Sequence, residues 1–344
     1  MKLHGKRILI VGGTGSLGQA LIRRESNENE LIITSRDEAK HWTLRNRLPK
    51  NSNVEFVVAD IRDSGRMENV IRNVNPEVII LAAALKQVDT CEKSPYESVQ
   101  TNLLGISNVI DSVQKLEREL DRLETVLMVS TDKACAPTNV YGMSKAISER
   151  LVTSSVSRSG NVKFVAVRYG NVLESRGSII PLFRFQAQNG LNLSVTHEDM
   201  TRFIMTLDQS IDLIEDTILG APSGEIWLPK LKSMNILDLA RIFANRYKVE
   251  FNVSGMRPGE KLHEELVSEP ESIRVFDSGK YLQMRPSLSS ISAGTKVFNY
   301  SSKDFLMDIN GLEEYLNELK IFDQSLDSFV GREIDEISTP RENQ

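Results

Sequence analysis

The chain has 344 residues, of which 40% are hydrophobic and 26% charged, with a formal net charge of -5; this is soluble globular composition with room for one large domain or two moderate ones. The acidic balance, with a pI near 5.6, argues against non-specific binding to nucleic acid or anionic membranes, while two cysteines and four scattered histidines give neither a disulfide framework nor zinc-ligand spacing, so no metal is expected. No apolar run approaches the ~20 residues that span a bilayer, and Met1 to Gly5 opens no signal peptide, so the expected location is the cytoplasm, with no membrane partner.

Apolar and β-branched runs at Arg7–Val11, Leu31–Thr34, Glu55–Val58, Val78–Leu81, Val126–Val129 and Phe164–Val167 alternate with helical patterns at Leu17–Arg24, Gly65–Asn73, Tyr96–Glu119 and Tyr141–Ser157. That rhythm predicts an α/β fold, a doubly wound parallel sheet of Rossmann type with right-handed crossovers. After about Gly170 it is broken by Arg176-Gly177-Ser178, Asn189-Gly190 and Pro222-Ser223-Gly224, which predicts a smaller α/β C-terminal region. A helix at Ile236–Arg246, a strand near Glu250–Val253 and a helix at Gly259–Val267 would build that region. Ser268–Ala293 reads as loop and Ile309–Leu319 as helix. The expected division is a nucleotide-binding domain over 1–172 with a returning segment near 201–222, a substrate-binding region over 173–335, and a polar tail over 336–344.

The segment Gly12-Gly13-Thr14-Gly15-Ser16-Leu17-Gly18 follows the first strand and precedes the first helix. Glycines there permit a tight turn and let a pyrophosphate approach backbone N–H groups at a helix N-terminus. Gly12, Thr14, Gly15, Ser16, Leu17 and Gly18 are the expected cradle. The second strand ends at Ser35-Arg36, where NAD-binding proteins carry an acid for the ribose hydroxyls. Arg36 suits a 2′-phosphate and Ser35 can donate to it, which favours NADP, while Asp37 leaves NAD open. Asp60 and Ile61, after the third strand, are placed near the adenine, and Ala82, Ala83 and Ala84 after the fourth let backbone and cofactor come close.

Ser130-Thr131-Asp132-Lys133 ends the fifth strand and Tyr141 and Lys145 open the next helix. Four residues apart, Tyr141 and Lys145 share a helix face. For Tyr141 to act as a base near neutrality its hydroxyl must fall roughly three units below the usual ~10. Taken without further context, these residues also fit an ordinary helix pair and a surface Asp–Lys pair.

With this set the chain resembles the extended short-chain dehydrogenase/reductase family that acts on nucleotide sugars. Five separated stretches, Ser35-Arg36-Asp37-Glu38, Ala83 to Val88, Ser130 to Ala134, Arg168 to Val172 and Arg257 to Lys261, are similar more narrowly to inverting UDP-N-acetylglucosamine 4,6-dehydratases. The resemblance implies oxidation at C4, loss of water across C5 and C6, and return of the hydride to C6, giving UDP-2-acetamido-2,6-dideoxy-β-L-arabino-hex-4-ulose. It implies Tyr141, with Lys145, taking the C4 hydroxyl proton and Thr131 positioning that oxygen. Lys133 then serves as the C5 base and Asp132 as the acid at C6, a division that requires oppositely shifted titrations. Lys86 is expected near sugar or nicotinamide, Asn171 at the substrate diphosphate or amide, Arg202 and Arg257 at phosphate, and Glu260 at the uridine ribose. Substrate UDP-N-acetylglucosamine, a homo-oligomer built on the two long helices and NADP as cofactor complete the expectation. The alternatives are a retaining 4,6-dehydratase, a nucleotide-sugar 4-epimerase and a non-catalytic NADP-binding regulator.

Overall fold

A computed structural model describes residues 2–50, 52–155, 160, 162–289 and 297–323. The expected tail over 336–344, Ser157 and Ala293 lie outside the described residues. Six strands, β1 (Arg7–Val11), β2 (Glu30–Ser35), β3 (Val54–Val58), β4 (Val78–Leu81), β5 (Thr125–Thr131) and β6 (Lys163–Tyr169), pair in parallel. β1 lies between β2 and β4, so the strand order reverses there. In an open α/β sheet, that reversal leaves a crevice at the carboxyl ends of the strands. Residues 8–11 of β1 and all of β4 are buried, which is why they read as unbroken apolar runs rather than as alternation.

Three further strands bring the sheet to nine among the described residues. Ile226–Pro229 adds parallel to β6, Tyr281–Met284 pairs antiparallel with it, and Val275–Asp277 closes the edge. The last two correct the loop reading of Ser268–Ala293. A tight connection with Gly279 at φ 91° joins two strands too short for their alternation to stand out, and Tyr281, Leu282 and Met284 are buried. The helix expected at Gly259–Val267 is also absent. Gly259 at φ 81° sits in a turn closed by Glu260 N–H on the Arg257 carbonyl at 3.1 Å, and the Leu262 carbonyl accepts from Thr201 N–H at 3.0 Å.

The first helix is α1 (Ser16–Glu25). A second, α2 (Glu38–Arg47), carries mostly polar residues and was not among the expected elements; only His41 and Leu44 of it are buried. The long helix expected at Tyr96–Glu119 is three pieces: Pro95–Ser98, a π-helical stretch Val99–Leu104, and Gly105–Lys115.

The chain divides into two compact units. The first holds Met1–Tyr169, Asp208–Lys230 and Val267–Asn299, so part of the expected 173–335 region belongs with the main sheet because its strands extend that sheet. The second holds Gly170–Leu207, Leu231–Leu266 and Tyr300–Gln344. Its core gathers around Phe243 on the helix Ile236–Tyr247, whose ring lies 5.6 Å from that of Phe183 and 5.1 Å from that of Phe322.

In the first unit, Glu25 at the end of α1 and Glu215 on the helix Leu207–Gly220 are both buried. Burial, then the hydrogen bond shared with Glu215, pushes Glu25 from 4.5 up to about 8. The folded chain therefore keeps a proton that the unfolded chain loses, so stability falls as pH rises from about 5 towards 8, by up to about 1.4 kcal/mol per unit. Glu25→Gln is expected to flatten that decline in a series of melting temperatures across this range; an unchanged slope would contradict the shared proton.

Candidate active site

The glycine loop takes its shape from contacts that leave no room for larger residues. Gly12 adopts φ +86°, and a Cβ there would lie 2.5 Å from the Ala83 backbone; one on Gly18 would lie 2.1 Å from the Gly13 carbonyl oxygen. The loop is thus pressed against the small-residue end of β4 on one side and holds α1 tightly on the other. Gly15, the N-cap of α1, offers no side-chain cap, and a helix N-terminus is a favourable place for an anion. Thr14 is buried and its carbonyl accepts from the Gln19 amide at 3.1 Å. This cradle fits a dinucleotide pyrophosphate.

At the end of β2, the Ser35 hydroxyl lies 2.8 Å from His41 Nε2. The Asp37 carboxylate caps α2, accepting from Lys40 N–H at 3.0 Å and pairing with Lys40 Nζ at 2.9 Å. Both contacts, the backbone one foremost, hold it below the ordinary carboxylate range. Arg36 is exposed, 3.9 Å from Asp60. Asp60 accepts three guanidinium contacts from Arg62, at 2.6 to 3.1 Å, so its charge is committed beside the place expected for adenine. Ile61 is buried beneath Gly105. Lys86 is exposed on the segment after β4.

The reactive residues meet at the end of β5. The Thr131 hydroxyl donates to Asp132 Oδ1 at 2.9 Å, and Lys133 Nζ reaches the same oxygen at 3.1 Å. Asp132 is 1% exposed and the Lys133 side chain 19%, so a buried carboxylate is joined to an amine that solvent or substrate can reach. Tyr141, on the helix Val140–Ser154 capped by Asn139, is hydrogen-bonded to Thr131. Burial pushes its hydroxyl up to about 12, against the lowering effects of Lys133 and Thr131. The expected downward shift is therefore not present in the chain by itself. The expected partner differs too: Lys133 is the cation that lowers Tyr141, whereas Lys145 donates to the Val129 carbonyl at 2.6 Å and is lowered to about 8 by burial.

Two anchors of this cluster were not foreseen. Asn102, in the π-helical stretch, is fully buried; it accepts from Leu85 N–H at 2.8 Å and donates to the Ser144 hydroxyl at 3.2 Å, tying the segment before Lys86 to the Tyr141 helix. A single asparagine in a helical pattern gives no sequence signal for this. Behind the cluster, Arg168 on β6 grips Glu149 at 2.6 and 2.9 Å and Glu271 at 2.8 and 2.9 Å. The Cys135 thiol donates to Glu271 at 3.3 Å.

Of the five residues expected to touch substrate, Lys86 lies in the first unit and the other four fall in the second, where each stands as follows. The Asn171 side-chain oxygen is buried without a hydrogen-bond partner. Arg202 is buried, donating to the Thr201 carbonyl at 2.7 Å, with Glu264 at 3.8 Å. Arg257 is exposed, and Glu260 accepts from its backbone N–H at 3.0 Å, closing the turn rather than starting a helix. No cluster of metal-ligating side chains occurs among the described residues, and no helix there is long and apolar enough to cross a membrane.

A doubly wound sheet with this glycine loop and a Thr–Asp–Lys/Tyr cluster at its carboxyl edge defines a fold of the short-chain dehydrogenase/reductase type. The chain belongs to the polysaccharide biosynthesis protein family, whose model matches residues 8–286. It is 35% identical to the Campylobacter jejuni UDP-N-acetylglucosamine 4,6-dehydratase (inverting), over 84% of this chain and 85% of that one. It is 37% identical to a Rickettsia bellii UDP-glucose 4-epimerase over 81% and 82%, and 35% identical to a Methanocaldococcus jannaschii protein named as an uncharacterized membrane protein over 92% and 94%. Among solved structures it is similar to Pen from Bacillus thuringiensis, with a TM-score of 0.86, 30% identity, and 94% of this chain and all of that one covered.

Proposed function

We propose that the chain is an NADP-dependent UDP-N-acetylglucosamine 4,6-dehydratase that inverts C5, producing UDP-2-acetamido-2,6-dideoxy-β-L-arabino-hex-4-ulose for surface polysaccharide or glycoprotein sugars. The observation that carries this reading is the 3.1 Å contact between Lys133 Nζ and the buried Asp132 carboxylate. Elimination needs a neutral amine to take the C5 proton and a neutral acid to protonate the departing C6 hydroxyl. One proton moved along that contact turns the ion pair into those two species. When water leaves, Lys133 has gained a proton and Asp132 has lost one, which restores the ion pair. Asp132 sits where a lone charge is costly, so the neutral arrangement gains relative to water.

The cofactor, when bound, supplies reversible hydride acceptance. Tyr141 and Thr131 hold the C4 hydroxyl and its proton, and with Tyr141 held up at about 12, a further positive charge is required to bring it into range, as a nicotinamide cation would provide. Lys145, buried one turn along and lowered to about 8, still carries most of its charge near pH 7. NADP rather than NAD is supported by Asp37, the acid nearest the end of β2, whose carboxylate is engaged by Lys40. Asn171, with its buried unpartnered oxygen, is the substrate contact best supported in the second unit, ready for an amide or hydroxyl donor; Lys86, Arg202, Arg257 and Glu260 are assigned to substrate by family likeness alone.

The relative named as a 4-epimerase favours a second reading, C4 inversion with C6 left hydroxylated. That chemistry has no use for an acid and base at C6 and C5, so it leaves the Asp132–Lys133 contact without a task. Mass spectrometry of a reaction with UDP-N-acetylglucosamine separates the two: loss of one water is expected, and a product of unchanged mass would support the epimerase.

A further inference from the structure

His41 is a buried titratable residue of the first unit that the reaction above leaves unused. It stands on α2, 3% exposed, with its ring 5.3 Å from that of Phe56 on β3 and its Nε2 2.8 Å from the Ser35 hydroxyl. The same hydroxyl accepts from Asp37 N–H at 3.3 Å. A serine hydroxyl has two acceptor positions and one proton. If His41 presents Nε2–H, both acceptor positions are filled from within the chain, and the proton of Ser35 is left to point outwards. If Nε2 is bare, Ser35 gives its proton to the ring and turns a lone pair towards any ligand, which repels an anion. Burial, with Arg45 adding to it, lowers His41 below its ordinary titration range, so the ring is neutral near pH 7 and its tautomer alone decides between these two states.

We infer that His41 is a positioning residue for cofactor choice: its Nε2–H tautomer fixes Ser35 as a hydrogen-bond donor to the 2′-phosphate of NADP. The inference rests on the NADP reading above and adds the residue that enforces it. Arg36 supplies charge at this corner, but an exposed guanidinium attracts many anions. A hydroxyl held from behind by a buried ring and a backbone amide is a donor of fixed direction, and that makes the corner selective.

The test is binding of NADP and of NAD to the full chain, measured by titration calorimetry without sugar substrate. Wild type is expected to hold NADP more tightly than NAD. His41→Phe, which keeps an aromatic ring against Phe56, is expected to weaken NADP about 10-fold or more while leaving NAD unchanged, the range for a hydrogen bond to a charged group. His41→Gln, with an amide donor of similar reach, is expected to restore much of the preference. A His41→Phe variant with the wild-type NADP-to-NAD ratio overturns the inference and leaves the cofactor reading standing; a wild type that prefers NAD removes the cofactor reading and this inference with it. Should His41→Phe not fold, nitrogen NMR of the wild-type imidazoles with NADP bound decides the matter: a proton on Nε2 of His41 supports the assignment and a proton on Nδ1 overturns it.

Discussion

Lys133→Ala is expected to slow dehydration of UDP-N-acetylglucosamine by about 10² to 10⁴-fold, the usual worth of a positioned proton-transfer group, while NADP affinity stays near wild type. The reasoning is local. Lys133 reaches the buried Asp132 at 3.1 Å and keeps only a fifth of its side chain exposed, so its removal takes away both the amine for C5 and the proton that Asp132 needs for C6. It also removes the cation that lowers Tyr141, so the hydroxyl there rises further. The cradle formed by Gly12, Ala83 and Gly18 includes no part of Lys133, which is why binding should survive. Exchange of the C5 proton with solvent deuterium is the readout to follow, and a variant that still exchanges at the wild-type rate would remove Lys133 as the base.

The second large effect is on stability. Arg168→Met should cost about 3–5 kcal/mol, because it takes from the buried carboxylates of Glu149 and Glu271 the guanidinium that grips both, leaving Arg274 at 3.8 Å from Glu271. Burial by itself would raise Glu271, yet Arg168 outweighs it and holds the carboxyl down at about 2. Glu149 lies on the helix that carries Tyr141 and Lys145, and Glu271 accepts from Cys135, just past the Asp132–Ala134 turn. Activity is therefore expected to fall along with the urea midpoint. Joining Glu149→Gln and Glu271→Gln to Arg168→Met should recover much of the lost stability, since neutral amides in place of the carboxylates remove the stranded charge. An Arg168→Met chain as stable as wild type would show that the three groups are not coupled in this way.

Much of this arrangement is legible in the sequence, for definite reasons. β1, β2, β4, β5 and β6 are buried along most of their length and read as short apolar runs, while β3 is partly exposed. The glycine loop announces itself because backbone conformation and close approach restrict what can stand there. Asp132 and Lys133 gain meaning from neighbours along the chain and from similarity to a family. What escaped notice is mainly non-local or weakly patterned. α2 is polar along most of its length and gives no apolar stripe, so both the helix and the contact from His41 back to Ser35 stayed hidden. Val275–Asp277 and Tyr281–Met284 are too short to separate from a loop before their sheet partners are known. Helical spacing pairs Lys145 with Tyr141, yet the Val129 carbonyl, sixteen residues earlier, accepts its hydrogen bond. Spacing along a helix says which side chains share a face, not which atoms on neighbouring strands compete for them.

The central claim is that Asp132 and Lys133 together eliminate water and invert C5. The most direct measurement is incubation of the chain and NADP with UDP-N-acetylglucosamine in deuterated water, followed by NMR of the sugar nucleotide. A C6 methyl group, deuterium at C5 and the ring couplings of the L-arabino 4-ulose are predicted. A product with retained C5 configuration, or a 4-epimer that keeps its C6 hydroxyl, would contradict the account.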